Sequence, residues 1–217
     1  MITVIGGGLA GSEAAWQLAE RGHDVTLVEM RPAVATAAHK TDRLAELVCS
    51  NTFKSTELSN AHGLLKAEMR QLGSLILWAA DRARVPGGSA LAVDRDLFAA
   101  AVTDRISANP RIRIERAEAS TIPSPSIVAT GPLTSDRLSL AIRDRLGVAA
   151  LAFYDAIAPV IAHDSIDEHL VFRASRYGKE TMAEGDASGG AYLNCPLSRD
   201  QYESFVDALV AADQFHA

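Results

Sequence analysis

Residues 2–5 form a short apolar run, and Gly6-Gly7-Gly8-Leu9-Ala10-Gly11 follows at once, opening a helical segment that runs to about Arg21. Gly22 ends that segment, and residues 24–29 (D-V-T-L-V-E) read as a second hydrophobic strand. Strand, glycine turn, helix and strand in this order make a βαβ unit. The fold class it implies is α/β, with a Rossmann-like FAD/NAD(P)-binding domain. In that setting the glycines let the backbone approach a pyrophosphate, and the helix N-terminus stabilises its charge. An acid at the end of the second strand binds ribose hydroxyls, so Glu29 favours FAD or NAD over a 2′-phosphorylated cofactor. The candidate cofactor-binding residues are Gly6, Gly8, Leu9, Ala10, Gly11, Glu29, Met30 and Arg31. Ala129-Thr130-Gly131, closing a buried strand expected over 126–130, adds Thr130 and Gly131.

Further along, residues 30–55 show no sustained period and read as a long functional loop with one short helix around 43–48. Residues 56–84 carry helical spacing broken near Gly73. Pro86-Gly87-Gly88 is a turn, and Asp94 caps a helix over about 95–108. Residues 111–119 alternate charged with apolar side chains and read as an exposed strand; Ser135 starts a helix to about Leu146. From Ala149 the character changes. Short strands at 151–154 and 159–162, a glycine-rich loop at 178–190, a strand at 192–194 and a capped helix over 198–212 follow. The expected domains are 1–148, which binds FAD, and 149–217, a small appended α+β subdomain for the substrate.

Composition narrows the class. The 217 residues are 48% hydrophobic and 22% charged, ordinary values for a soluble globular protein. No apolar run of transmembrane length occurs, the N-terminus reads as a strand and not as a signal peptide, and the cytoplasm is the expected location. The expectation is no membrane and no metal. A net charge of -6 argues against nonspecific nucleic-acid binding. Local basic patches remain open at Arg82 with Arg84, at Arg111, Arg113 and Arg116, and at Arg173 with Arg176.

The chain has two cysteines, Cys49 in A-E-L-V-C-S-N-T-F-K-S and Cys195 in A-Y-L-N-C-P-L. A thiol attacks only as thiolate, so its surroundings decide whether it reacts. His39, Lys40 and Lys54 are near Cys49 along the chain, and Cys195 sits between Asn194 and Pro196 at the end of a short strand. Either cysteine also reads as a small buried hydrophobe, and His39 and His62 as hydrogen-bonded structural residues. Asn51, Lys54 and Ser55 also read as caps for the helix that follows. Tyr177 reads as a base-stacking platform or as packing.

The stretch H-K-T-D-R-L-A-E-L-V-C-S-N-T-F-K-S-T-E-L-S-N, together with Y-L-N-C-P, resembles TrmFO, the folate- and flavin-dependent tRNA (uracil-5-) methyltransferases. The likeness continues through L-A-V-D-R-D-L-F, I-V-A-T-G-P-L-T-S-D, F-Y-D-A-I-A-P and F-R-A-S-R-Y, and covers essentially the whole chain. It implies FAD as cofactor, methylenetetrahydrofolate and NAD(P)H as co-substrates, and tRNA as partner. It also implies Cys195 as the nucleophile and Cys49 as its partner thiol, a general base or a protective adduct. Family members are about twice as long and return after an insertion to complete the flavin domain. The chain is therefore expected to be a short homologue or a fragment of such a protein, with a ring pocket that needs further walls, which a homo-oligomer would supply. Two other functions stay open: a short flavin oxidoreductase acting on a small molecule, and a non-catalytic nucleotide-binding domain.

Overall fold

The structure, a computed structural model, describes residues 1–36, 38–147, 161–174, 190 and 192–212. It divides into two units, residues 1–85 with 89–159, and residues 86–88 with 160–217.

In the first unit, β1 (Ile2–Ile5), α1 (Leu9–Glu20) and β2 (Val25–Glu29) form the parallel βαβ unit that the glycine turn requires. A small antiparallel sheet places β5 (Ala90–Val93) between β3 (Thr52–Ser55) and β4 (Arg84–Val85). Between β3 and β4 lie α2 (Ala61–Gln71) and α3 (Leu75–Arg82), separated at Gly73, whose φ is +72°. Helix α4 (Arg95–Ser107) starts on the Asp94 cap, whose carboxylate accepts from Leu97 N at 2.9 Å. Strands β6 (Ile112–Arg116) and β7 (Ser126–Val128) complete the main sheet in the order β6-β2-β1-β7, all parallel. Helix α5 (Asp136–Leu146) follows, capped by Ser135.

Side chains alternate across a strand, so Val4, Val25 and Leu27 share one face of the sheet. That face packs against α1, α3 and α4 through Ala15, Leu75, Ala79, Phe98, Val102 and Ile106, and here the core sits. Glu13 of α1 locks α3 in place: its carboxylate accepts from Ser74 Oγ, Leu75 N and Ile76 N, occupying the otherwise orphaned donors of the α3 N-terminus.

Two sequence expectations need correction. The short helix around 43–48 does not form, because its backbone donors are engaged elsewhere. Leu44 N donates to Thr103 Oγ1 at 2.9 Å and Ala45 N to the Gly7 carbonyl at 2.8 Å, with Ala45 held at φ +52°. The strand expected to be buried over 126–130 is β7 at the sheet edge, and Ile127 and Val128 are each 39% exposed. The break at Gly73, the Asp94 cap and the alternating strand at β6 agree with the sequence.

In the second unit, β8 (Phe172–Ala174) pairs antiparallel with β9 (Tyr192–Asn194). Helix α6 (Arg199–Ala211) begins with a capping box of Ser198 and Gln201. The strand expected at 151–154, part of that at 159–162, Tyr177 and nearly all of the 178–190 loop lie outside the described residues. Among the described residues no helix is long and apolar enough to cross a membrane.

Phe98 is fully buried and its ring lies 5.4 Å from that of Phe53 on β3. Phe98→Ala is expected to cost about 3–5 kcal/mol in urea unfolding. Phe205→Ala, at a site 57% exposed on α6, should stay within about 0.5 kcal/mol of wild type. Equal losses would contradict this placement of the core.

Candidate nucleotide site

The glycine turn is built by close approach. Gly6 has φ +101°, and a Cβ there would lie 2.8 Å from the Ala129 carbonyl oxygen of the neighbouring strand connection. At Gly11 a Cβ would run into the Gly6 carbonyl oxygen, so helix and turn pack this tightly only with glycine. Gly8 differs: a Cβ would meet nothing within 4 Å. It is the N-cap of α1 and makes no side-chain cap, so the first-turn N–H groups of Leu9, Ala10 and Gly11 have no intrahelical acceptor. Open space and unused donors together at a helix N-terminus fit an anionic group such as a pyrophosphate.

Behind the turn lies a network of buried charge. Glu29, 5% exposed, accepts from Gly7 N at 2.8 Å through Oε2. Through Oε1 it accepts from Arg31 N at 3.0 Å and Arg31 Nε at 2.8 Å. Arg31, 3% exposed, turns its Nη1 to Glu46 Oε2 at 3.0 Å and to the Thr41 carbonyl at 3.2 Å. Glu46 also accepts from Lys40 N, Thr41 N and Thr41 Oγ1. Burial pushes both carboxyls up, but hydrogen bonds outweigh it and hold each below the ordinary carboxylate value: those from Arg31 and Gly7, with the Arg31 charge, for Glu29, and those from Lys40 and Thr41 for Glu46. The loop after β2 is thus ordered around a Glu29–Arg31–Glu46 triad without needing a helix.

The triad has a consequence for specificity. An arginine beside the acidic residue can accept a 2′-phosphate. Here that arginine is buried and engaged by two carboxylates. The remaining lone pair capacity of Glu29 favours a ribose with a free 2′-hydroxyl and repels a phosphate.

One pocket in the first unit gathers many of these residues. Gly6, Gly8, Glu29, Met30, Arg31 and Thr130 line it, while Leu9, Ala10, Gly11 and Gly131 do not. Its other walls are His39, residues 117–119 after β6, and Leu133 to Ser135 with Leu138. These were not picked out as cofactor-binding in the sequence. The available signal was positional, since ligands of parallel sheets sit at the carboxyl ends of strands. His39 Nδ1 lies 2.6 Å from Thr36 Oγ1, and burial, then the Arg31 charge, pushes this imidazole below its ordinary pKa.

The two cysteines fall in different units. Cys49 is half-buried ahead of β3, in a segment tied to β5 by Asn51, which donates through Nδ2 to Val93 O and accepts from Val93 N. Lys54, in the same segment, has φ +65°. The following helix is capped by Asn60 and not by Asn51, Lys54 or Ser55; Ser55 Oγ instead accepts from Asn60 Nδ2. Cys195 is exposed just after β9, where Asn194 Nδ2 donates to the Ala174 and Tyr192 carbonyls.

Comparison with known proteins gives this site a context. The family described as glucose inhibited division protein A matches residues 1–216. A Roseobacter denitrificans protein named methylenetetrahydrofolate–tRNA-(uracil-5-)-methyltransferase TrmFO is 56% identical over 214 residues, 97% of this chain and 47% of that protein. The protein of the same name from Desulforudis audaxviator is 54% identical over 215 residues, 98% of this chain and 47% of its own length. The chain therefore spans about half the length of the curated relatives it matches. Among solved structures, GidA of Aquifex aeolicus aligns at 17% identity and a TM-score of 0.49, over 60% of this chain and 25% of that one.

The triad makes stability depend on acid. Both carboxyls have folded pKa values below the unfolded value near 4.5, so their contribution is complete above that pH and is lost as pH falls through the folded values. Glu29→Gln should lower stability at pH 7 by roughly 3 kcal/mol, since it leaves the buried Arg31 half-compensated. Its Tm should also fall less steeply than wild type between pH 5 and pH 3, windows set by the ordinary carboxylate range at about 4.3. Parallel Tm profiles for the two proteins would remove Glu29 from the acid response.

Proposed function

The chain belongs to the glucose inhibited division protein A family, and from that premise we propose that it binds FAD and serves folate-dependent methylation of uracil C5 in tRNA. The observation that carries the reading is the Glu29–Arg31–Glu46 triad behind an uncapped glycine turn. It makes a seat for an adenine dinucleotide without a 2′-phosphate. Gly6, Gly8 and the first-turn amides of Leu9, Ala10 and Gly11 hold the pyrophosphate, while Glu29 with Met30 and Arg31 shapes the ribose seat. Thr130 and Gly131 follow β7 at the same end of the sheet. The names of the relatives supply the rest of the reaction class.

The cysteines take the covalent steps. Uracil C5 is a poor nucleophile until a thiolate adds to C6. The Cys195 sulfur forms that bond, the C5–C6 double bond is saturated, and C5 becomes enolate-like. C5 then attacks the methylene carbon that methylenetetrahydrofolate donates, forming a C–C bond. Cys49 takes the C5 proton, and the freed electron pair expels the nitrogen that carried the methylene, leaving an exocyclic methylene on C5. Two electrons added there as hydride make the methyl group, while the C5–C6 double bond re-forms and the Cys195 thiolate departs. When bound, the flavin carries the two electrons, drawn from NAD(P)H, that take the methylene to a methyl group. Residues 1–148 hold the cofactor and 149–217 contribute to the substrate side. The setting is cytoplasmic, and a second subunit or a further polypeptide completes the walls around the flavin ring.

Purified protein should be yellow, with flavin absorbance. A colourless protein that FAD does not reconstitute would overturn the reading. With labelled methylenetetrahydrofolate, NAD(P)H and unmodified tRNA, label should enter the tRNA. Cys195→Ser should abolish the transfer, and Cys49→Ala should slow it by about 10²–10⁴-fold. Flavin-dependent turnover of a small molecule with no label in tRNA would replace the macromolecular substrate by a small one.

A further inference from the structure

Away from the nucleotide pocket, three helices on the core face of the main sheet bring together the chain's two tryptophans. Trp16 comes from α1 and Trp78 from α3. Between them lies Arg105 of α4, its guanidinium carbon 4.7 Å from the Trp16 ring centroid and 4.1 Å from that of Trp78. The exposed Arg82 adds a second guanidinium 4.9 Å from the Trp78 ring. Among the described residues no carboxylate pairs with Arg82 or Arg105. The nearby Arg70 is committed, with Nε and Nη2 on Asp81 at 2.8 and 2.7 Å.

A guanidinium held over two indole rings keeps its charge and its fork of N–H donors. Such a fork suits the paired oxygens of a phosphate. Space is available for one. A recess of about 270 Å³ opens beside Trp16, Trp78 and Arg105, and a second of about 480 Å³ beside Trp78, Arg82 and Arg105. Both share the Trp78–Arg105 edge. Asp104 lines the second recess, so the positive excess is small and local.

Of the other arginines that the sequence offered as basic patches, Arg111, Arg113 and Arg116 are committed elsewhere. Arg111 pairs with Asp24 at 3.1 Å and Arg113 with Glu115 at 3.0 Å. Arg116 donates to the carbonyls of Arg31 and Asp42. On a chain of net charge -6, contact with a polyanion rests on local groups of uncompensated cations.

The geometry points to Arg105, held by Trp16 and Trp78 and assisted by Arg82, as a docking point for the phosphodiester backbone of an RNA. This rests on the reading that the protein acts on tRNA. It adds a contact surface on the helical face, built by residues that take no part in cofactor binding or covalent chemistry. Contacts of this kind position an RNA without reading its sequence.

Because Trp16 and Trp78 are the only two tryptophans, intrinsic fluorescence reports directly on this surface. Unmodified tRNA transcript titrated into the 217-residue protein should change the tryptophan emission along the same isotherm that filter binding gives. Arg105→Gln should weaken binding about tenfold near 0.1 M salt and flatten the slope of log K against log salt by about 1. Arg82→Gln, at an exposed position, should weaken it about threefold with Tm and flavin content unchanged. If Arg105→Gln proves unstable, the Arg82→Gln titration decides alone. Binding with unchanged emission, or an Arg82→Gln protein with wild-type affinity and salt slope, overturns the docking point and leaves the tRNA reading standing. A wild-type protein that binds no tRNA, yet carries flavin, overturns both.

Discussion

The carboxylate of Glu29 ties the glycine turn to the loop beyond β2 from inside the protein. One oxygen takes the amide of Gly7 in the glycine turn, and the other takes the backbone and side chain of Arg31 in the loop beyond β2. A buried carboxylate with three donors is stable in its charged form, whereas one with none would shed its charge. Arg31 in turn fixes Glu46, and the backbone beside Glu46 fixes Gly7 again, through the bond from Ala45 N to the Gly7 carbonyl. The circuit closes. Turn, strand end and loop are held by one set of charges, and the pocket lined by Gly6, Gly8, Glu29 and Thr130 lies beside it.

This circuit explains how residues 30–36 and 38–50 are held without helix or strand. Regular structure is one way to satisfy backbone donors, and side-chain acceptors are another. Here Glu46 takes the amides of Lys40 and Thr41, and Thr103 takes that of Leu44. Ala45 adopts φ +52°, a conformation that costs a non-glycine residue of order 1–3 kcal/mol and that only a surrounding network can sustain. The strain lies beside the glycine turn, where the network is densest.

The βαβ unit was legible because its constraints are local: a glycine that must take positive φ, another that must lie against a carbonyl, and an acid at the end of a strand. The Asp94 cap and the break at Gly73 were legible for the same reason. What could not be read is what depends on distant partners. The run around 43–48 looks helical until Thr103 and Gly7 claim its backbone. Residues 126–128 look buried because they are apolar, but burial depends on what packs against them, and β7 stands at an edge. Glu46 gave no signal at all, since an acid in a polar loop is unremarkable until a buried arginine 15 residues earlier turns toward it.

Two arginines show why charge has to be located before it is interpreted. Arg31 lines the pocket beside the glycine turn, where a cation suits a phosphate, yet two carboxylates engage it and cancel its charge. Arg105 lies far from that motif in sequence and looks like an ordinary helix residue. Its neighbours are indoles, which attract a cation through their π faces without neutralising it. The first arginine is stabilised by partners that cancel its charge, the second by partners that leave the charge in place and only fix its plane. An anion approaching this protein therefore finds repulsion where the sequence motif puts an arginine, and a preorganised donor where the sequence shows only the spacing of three helices.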